Sequence, residues 1–307
     1  MIAELLSLLV RTLIRAEAAA SLCIVLVLVL RAPGRRLLGA GLAYRLWTLP
    51  LAAAAASLFP TLAEFRRGAS ALDAPGDPAL DARLVAVWVG GALLFALVLA
   101  AAEIRFRRRV KAGVAGPAVT GIGWRRLVTP KDFHARFDAG ERALILRHER
   151  MHMDRRDPEA NLLTAVLQAL SWFNPLAHLA AAAARLDQEL ACDEAVVRDR
   201  PDLRRGYAET LLKAQLSGPA SPFACAFFSR AAVIGARHPL EVRLAMLARP
   251  QPGLGRYLSG LAAVGAMALF IAAAVWAGAP ERPAGAALGY EAPGSDIVTI
   301  TAFSPSG

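Results

Sequence analysis

The stretch LVAVWVGGALLFALVLAAA, Leu84 to Ala102, carries no charged residue over 19 positions. A helix rises about 1.5 Å per residue, so this segment is long enough to cross roughly 30 Å of hydrocarbon. It sets the fold class, because its apolar neighbours must then be read against lipid as well. Tyr257 to Pro280 is uncharged over 24 residues. Two earlier runs complete four expected spans. One covers about 12–30, with Arg15 and Glu17 near its outer end; the other covers about 38–62, where Arg45 is expected to snorkel or face the bundle. The first run reads poorly as a cleaved leader. It ends in RAPGRR, Arg31 to Arg36, instead of small residues, and another apolar run follows at once.

Composition agrees. Of 307 residues, 56% are hydrophobic and the mean hydropathy is +0.43, more apolar material than a soluble core needs. The formal charge is +10, and its arginines gather beside the spans: Arg31, Arg35 and Arg36 in one turn, then Arg105, Arg107, Arg108, Arg109 and Lys111. The positive-inside rule places both groups on the cytoplasmic face, giving a multi-pass inner (plasma) membrane protein with both termini external. Anionic lipid accounts for the basic balance, and no helix-turn-helix, zinc-finger or RNP-like pattern accompanies it, so no direct nucleic-acid binding is expected. The expected organisation is three N-terminal spans in 1–102, a cytoplasmic domain over 103–256, a fourth span at 257–280 and a short flexible external tail at 281–307. Cys23, Cys192 and Cys225 are scattered and imply no disulfide framework.

Within 103–256, Val114 to Pro130 is punctuated by Gly and Pro and predicts short strands or a hairpin. Asp138 and Glu141 have capping-box spacing and open a helix through ERALILRHERMHMD. Asp157–Pro158 and Asn174–Pro175 each read as a cap followed by proline at the first helical position. Leu162 to Ala184 is uncharged over 23 residues, but Asn174 and Pro175 interrupt it, so it reads as two helices packed in the domain or near the membrane surface. The fold class is mainly α: four transmembrane helices and a cytoplasmic helical domain with a small β element.

His148 and His152 are four apart, so on a helix both imidazoles reach one metal. Glu149 is placed to take a proton from a water that the metal polarises. The bland alternative is a polar surface helix among Arg147, Arg150, Asp154 and Arg155. A catalytic zinc site needs a third protein ligand. His178, Asp187, Glu189, Asp193 and Glu194 all lie on the later helix, and position alone does not choose among them. Glu189 and Asp193 are one turn apart, which suits one to the metal and the other to a hydrogen bond with a histidine ligand.

Six stretches add a resemblance: YRLW at Tyr44 to Trp47, TPKDF at Thr129 to Phe133, HERMHMDRRD at His148 to Asp157, WFNP at Trp172 to Pro175, ELACDEAVV at Glu189 to Val197, and YAETLL at Tyr207 to Leu212. Together, over about residues 1–278, they resemble the M56 peptidases, the BlaR1 and MecR1 antirepressor family. A more distant likeness is to membrane CAAX-protease and HtpX-type gluzincins. The resemblance implies a gluzincin-like Zn2+ site with His148, His152 and Glu189 as metal ligands, Glu149 as catalytic base and Asp193 as the partner of a ligand. His178 is then structural. Asp157 matches an acidic family position but reads equally as a helix cap, and stays outside the catalytic set.

The implied activity is that of a zinc-dependent metalloendopeptidase acting on a protein substrate in regulatory signalling, for example on a transcriptional repressor. Antibiotic sensors of the family carry an external penicillin-binding domain with an SxxK motif, which 281–307 lacks. The stimulus is therefore expected from a sensor membrane partner, the tail or the lipid bilayer. Two alternatives are a membrane-protein quality-control protease and a noncatalytic membrane signalling or scaffold protein that keeps the fold.

Overall fold

Three of the four apolar runs form helices long and apolar enough to cross a membrane: α1 (Ile2–Leu38), α4 (Pro78–Ala112) and α11 (Leu254–Ala277). The computed structural model describes residues 2–59, 62, 77–198, 200–214, 225–226, 239–250 and 252–277. The tail at 281–307 and most of the loop between the second and third runs lie outside them. Helix α4 has a defined start and stop. The Asp77 carboxylate accepts from the Ala79 N–H, Pro78 occupies the first turn, and Gly113 at φ 74° closes the far end in the left-handed region.

The run expected as a single span over 38–62 is not one helix. Gly39, at φ 96°, separates α1 from the short α2 (Ala40–Arg45), and a turn at Leu46 and Trp47 precedes α3 (Thr48–Ala56). Pro50 is the physical reason for the second break. It has no N–H to donate to the Leu46 carbonyl, which instead accepts from Leu49 at 3.0 Å. Helix α3 still packs against α1 and α11. Val27, Leu42, Leu46, Leu49 and Val264 form the buried cluster that joins them.

Among the described residues the remaining α-helices are α5 (Phe133–Arg136), α6 (Ala139–Asp154), α7 (Asp157–Leu170), α8 (Pro175–Arg198), α9 (Arg204–Ala214) and α10 (Pro239–Leu247). Both halves of the expected capping box form: Glu141 N–H donates to Asp138 at 2.8 Å, and Asp138 N–H donates to Glu141 at 2.9 Å. Phe133, Phe137, Ile145, Val196, Val197, Tyr207 and Leu211 make the core that holds α6, α8 and α9 together. The β element is a small antiparallel sheet in the order β2–β1–β3, with β1 (Ala118–Thr120) central between β2 (Arg126–Val128) and β3 (Cys225–Ala226). Val119 faces Leu127 on one side and Cys225 on the other.

A buried ion pair ties this helical body to the first membrane helix. Asp187 on α8 accepts from Arg31 Nε at 2.8 Å and from Trp47 Nε1 at 2.8 Å, and Arg31 Nη2 also donates to the Ala183 carbonyl at 3.1 Å. Removing one partner of such a pair strands a charge away from water, which costs about 3–5 kcal/mol. Because Arg35 Nε also lies 3.5 Å from Asp187, the variant that strands charge is Asp187→Ala, which leaves both arginines without this carboxylate and is expected to lose stability of about that size, read as a lowered unfolding midpoint in detergent. A change below about 1 kcal/mol, as for an exposed pair, would contradict this placement.

Candidate metal centre

The capped helix α6 projects His148 and His152 from one face, and both are fully buried, as is Glu149. Helix α8 crosses this face and brings in Glu189. The two Nε2 atoms lie 3.0 Å apart, with Glu189 Oε2 at 3.4 Å from His148 Nε2 and Oε1 at 3.7 Å from His152 Nε2. Of the five later candidates, only Glu189 joins the two histidines within 4.8 Å as a potential ligand set. Asp187 is turned toward Arg31. Glu194 accepts from the Ala40 N–H and from Arg198, and His178 sits between Gln168 and the Trp172 carbonyl.

The outward ring nitrogens are equally constrained. His152 Nδ1 lies 2.7 Å from Asp157 Oδ2. His148 Nδ1 lies 2.7 Å from the Tyr207 hydroxyl, which donates to Asp193 Oδ1 at 2.7 Å. Arg243 on α10 holds that carboxylate with Nε and Nη2, both at 2.7 Å, and its Nη1 lies 3.3 Å from Glu189 Oε2. Asp193 thus partners His148 through Tyr207 as well as from 3.4 Å directly. Asp157 does not cap α7: Arg156, at φ 59°, takes the cap position and frees the carboxylate for His152.

Burial works against every charge here, and the partners decide the outcome. Arg243 outweighs burial at Asp193 and holds its carboxyl well below the usual range. Glu189 is lowered for the same reason, helped by the histidines. Burial, together with Asp193, pushes the Tyr207 phenol well up, so it remains a donor. Burial disfavours the charged form of His148, but its hydrogen bonds to Asp193 and Glu189 prevail and push it up to about 9.

These facts test whether a metal fits. With Nδ1–H of each histidine committed to Tyr207 or Asp157, each Nε2 presents a lone pair, and two lone pairs 3.0 Å apart require a proton or a cation between them. Two imidazole nitrogens and a carboxylate oxygen are a zinc-type donor set with one position left open. A second grouping, His152, Asp157 and Cys192, lies behind the ring. There Cys192 Sγ is 3.3 Å from His152 Nδ1, and burial pushes its thiol well up, so it packs as a neutral thiol against an already engaged nitrogen.

Residues 108–247 match the family model described as BlaR1 peptidase M56. Over that segment the chain is similar to the M56 peptidases. Five of the six quoted stretches lie inside it and their resemblance is borne out, YRLW lying outside, and the matched segment contains every residue of the group just described. The regulatory protein BlaR1 of Bacillus licheniformis is 32% identical over 116 residues, which are 36% of this chain. The chain covers only 19% of that protein's length. Three participants were not assigned from sequence. Tyr207 lay in a quoted stretch with no role attached, Asp157 was read as a cap, and Arg243 is 50 residues from Asp193, beyond any local spacing rule.

Two outcomes follow for an M56 site built this way. Asp157→Ala removes no ligand but releases the His152 ring, and zinc affinity by chelator competition is expected to fall about 10–100-fold; unchanged affinity would contradict the role. The second concerns pH. A His148 raised to about 9 stabilises the apo protein below about 6.5, and that contribution is lost as pH climbs through 9. Zinc requires the neutral ring, so uptake at pH 7 releases about one proton and affinity rises roughly tenfold per pH unit between 7 and 8. Titration calorimetry in two buffers reads this directly, and a flat affinity over that interval would contradict it.

Proposed function

We propose that this chain is a membrane-bound zinc metalloendopeptidase that cleaves internal peptide bonds of a protein substrate in regulatory signalling, such as the inactivation of a transcriptional repressor. The observation that carries the reading is the convergence of His148 Nε2, His152 Nε2 and the Glu189 carboxylate beside buried Glu149. The M56 match supports the chemistry, and the regulatory name of the Bacillus relative supports the setting. Zinc bound there would supply Lewis acidity, polarising a substrate carbonyl and making water more acidic. Glu149 takes the proton of the attacking water and returns it to the leaving amine. His148, His152 and Glu189 hold the ion, while Asp157 and the Tyr207–Asp193–Arg243 chain fix the two rings.

The proposed topology keeps the peptidase region, within 103–256, on the cytoplasmic side, with helical spans at about 12–30, 84–102 and 257–280, the broken run of α2 and α3 over 38–62 completing the return crossing, and both termini external. The arginines at the Ala112 end of α4 and the Leu38 end of α1 support it. Its partners are then the bilayer, a protein substrate and a sensor membrane protein. Glu149→Gln is the decisive variant. It is expected to keep zinc and to lower cleavage by about 10²–10⁴-fold, read as N-terminal peptides present with the wild-type protein and missing with the variant. Identical peptide sets would remove the peptidase reading. A single cleaved DNA-binding protein supports a regulator, and many damaged membrane proteins support quality control instead.

A further inference from the structure

The uncharged run Leu162 to Ala184 does not fold back into the helical body. It forms the inner part of α7, the turn at Ser171 to Asn174 and the first half of α8, and this hairpin lies alongside α1 and α4. We propose that it is a re-entrant hairpin inserted in the bilayer, with the metal centre at its mouth on the inner membrane surface. This rests on α1 and α4 being membrane helices and is independent of the peptidase reading.

Two contacts fix its depth. At the tip, Asn174 Nδ2 donates to Glu17 and to Ser21 on α1, each at 2.9 Å, and the Ser171 hydroxyl also donates to Glu17. At the mouth, Asp187 receives Arg31. The tip and mouth residues are 13 positions apart on α8 and 14 on α1, which is about 20 Å along either helix. The hairpin therefore runs in step with a membrane helix over about two thirds of the hydrocarbon thickness. Against α4 it meets residues within the uncharged run of that helix. Trp88 Nε1 donates to the Leu170 carbonyl at 2.7 Å, Trp172 Nε1 donates to the Trp88 carbonyl at 3.2 Å, and the Phe95 ring lies tilted against His178, centroids 5.1 Å apart. Trp172 lies directly on Gly91, where a Cβ would stand 2.1 Å from its ring.

Hydrocarbon tolerates a turn only when its polar groups are met internally, and these are. Asn174 Oδ1 accepts from the Leu176 N–H, His178 Nε2 donates to the Trp172 carbonyl, and both indole N–H groups have carbonyl partners. The outward face is a stripe of Leu163, Val166, Leu170 and Phe173, spaced three, four and three apart and each 40–52% exposed, like the lipid-type face of α4 at Leu93, Leu94 and Leu97. No charge occurs from Ala160 to Ala184, while Asp157, Glu159, Arg185 and Asp187 gather at the mouth. Because the chain turns back at Asn174 and Pro175, nothing charged has to cross. Glu189 follows Asp187 by two residues, about 3 Å along the axis, which sets the metal centre against the inner surface. On the proposed function, a substrate would then be cleaved at the membrane and not in a detached domain.

Spin labels on introduced cysteines test this in proteoliposomes of the full chain, with signal from the native cysteines subtracted. Labels at Val166→Cys, Leu170→Cys and Phe173→Cys are expected to collide with oxygen and to be shielded from a water-soluble nickel chelate, as at Leu93→Cys. A label at Trp124→Cys, on an exposed loop, should show the reverse. Chelate accessibility at 166 and 173 equal to that at 124 overturns the proposal. The unmodified protein gives a second reading with lipids bearing a photoactivatable group mid-chain: peptides covering 163–173 should be labelled together with those of α4, and labelling of α4 alone overturns it. Neither readout depends on peptidase activity.

Discussion

A helix that buries four carboxylates must supply each with a cation or a strong hydrogen-bond donor, since an uncompensated buried charge costs several kcal/mol. Pro175–Arg198 buries Asp187, Glu189, Asp193 and Glu194 and meets the demand largely with partners from other elements. Asp187 takes Arg31 and Trp47 from the membrane end, and Glu194 takes the start of α2 and Arg198. Asp193 takes Arg243 and Tyr207, which come from α10 and α9. Glu189 is left facing the two histidines of α6 with Arg243 beside it. The charges of one helix thus position the first apolar helix, the histidine-bearing helix α6, and α9 and α10 around it.

The same demand orders the candidate metal centre. Each histidine has its outward nitrogen taken by a carboxylate, directly from Asp157 or relayed through Tyr207 from Asp193, so both inward nitrogens are available together. The partners that push His148 up to about 9 favour a proton on the nitrogen that zinc would use, so acid would compete with zinc for it. Arg243 keeps two carboxylates ionised without touching either imidazole, a role that a lysine, with its single charged nitrogen, would fill poorly.

Much of this was legible in the sequence where a local rule applied. The four-residue spacing of His148 and His152, the capping box at Asp138 and Glu141, and the long uncharged runs all rest on contacts between near neighbours, which periodicity records. The break at Pro50 was written in the sequence too, but an uncharged run hides it because composition does not register a missing N–H. Distinguishing Glu189 from Asp187 or Asp193 lay beyond local rules: about one turn of helix separates the carboxylate that faces the two histidines from those that anchor salt bridges, and only the partners on other elements tell them apart. Arg243 and Tyr207 were silent for the same reason. The run at 162–184 was ambiguous because its proline marks the turn of a hairpin as readily as the joint between two buried helices.

Zinc K-edge absorption spectroscopy of the purified full chain tests the central claim most directly, because it reads the atoms around the ion and not a consequence of binding. The account predicts one zinc per chain with two imidazole nitrogens at about 2.0–2.1 Å and carboxylate or solvent oxygen completing the shell. A sulfur neighbour at about 2.3 Å, which would place the ion on Cys192, or a zinc-free protein that still cleaves its substrate, would contradict it.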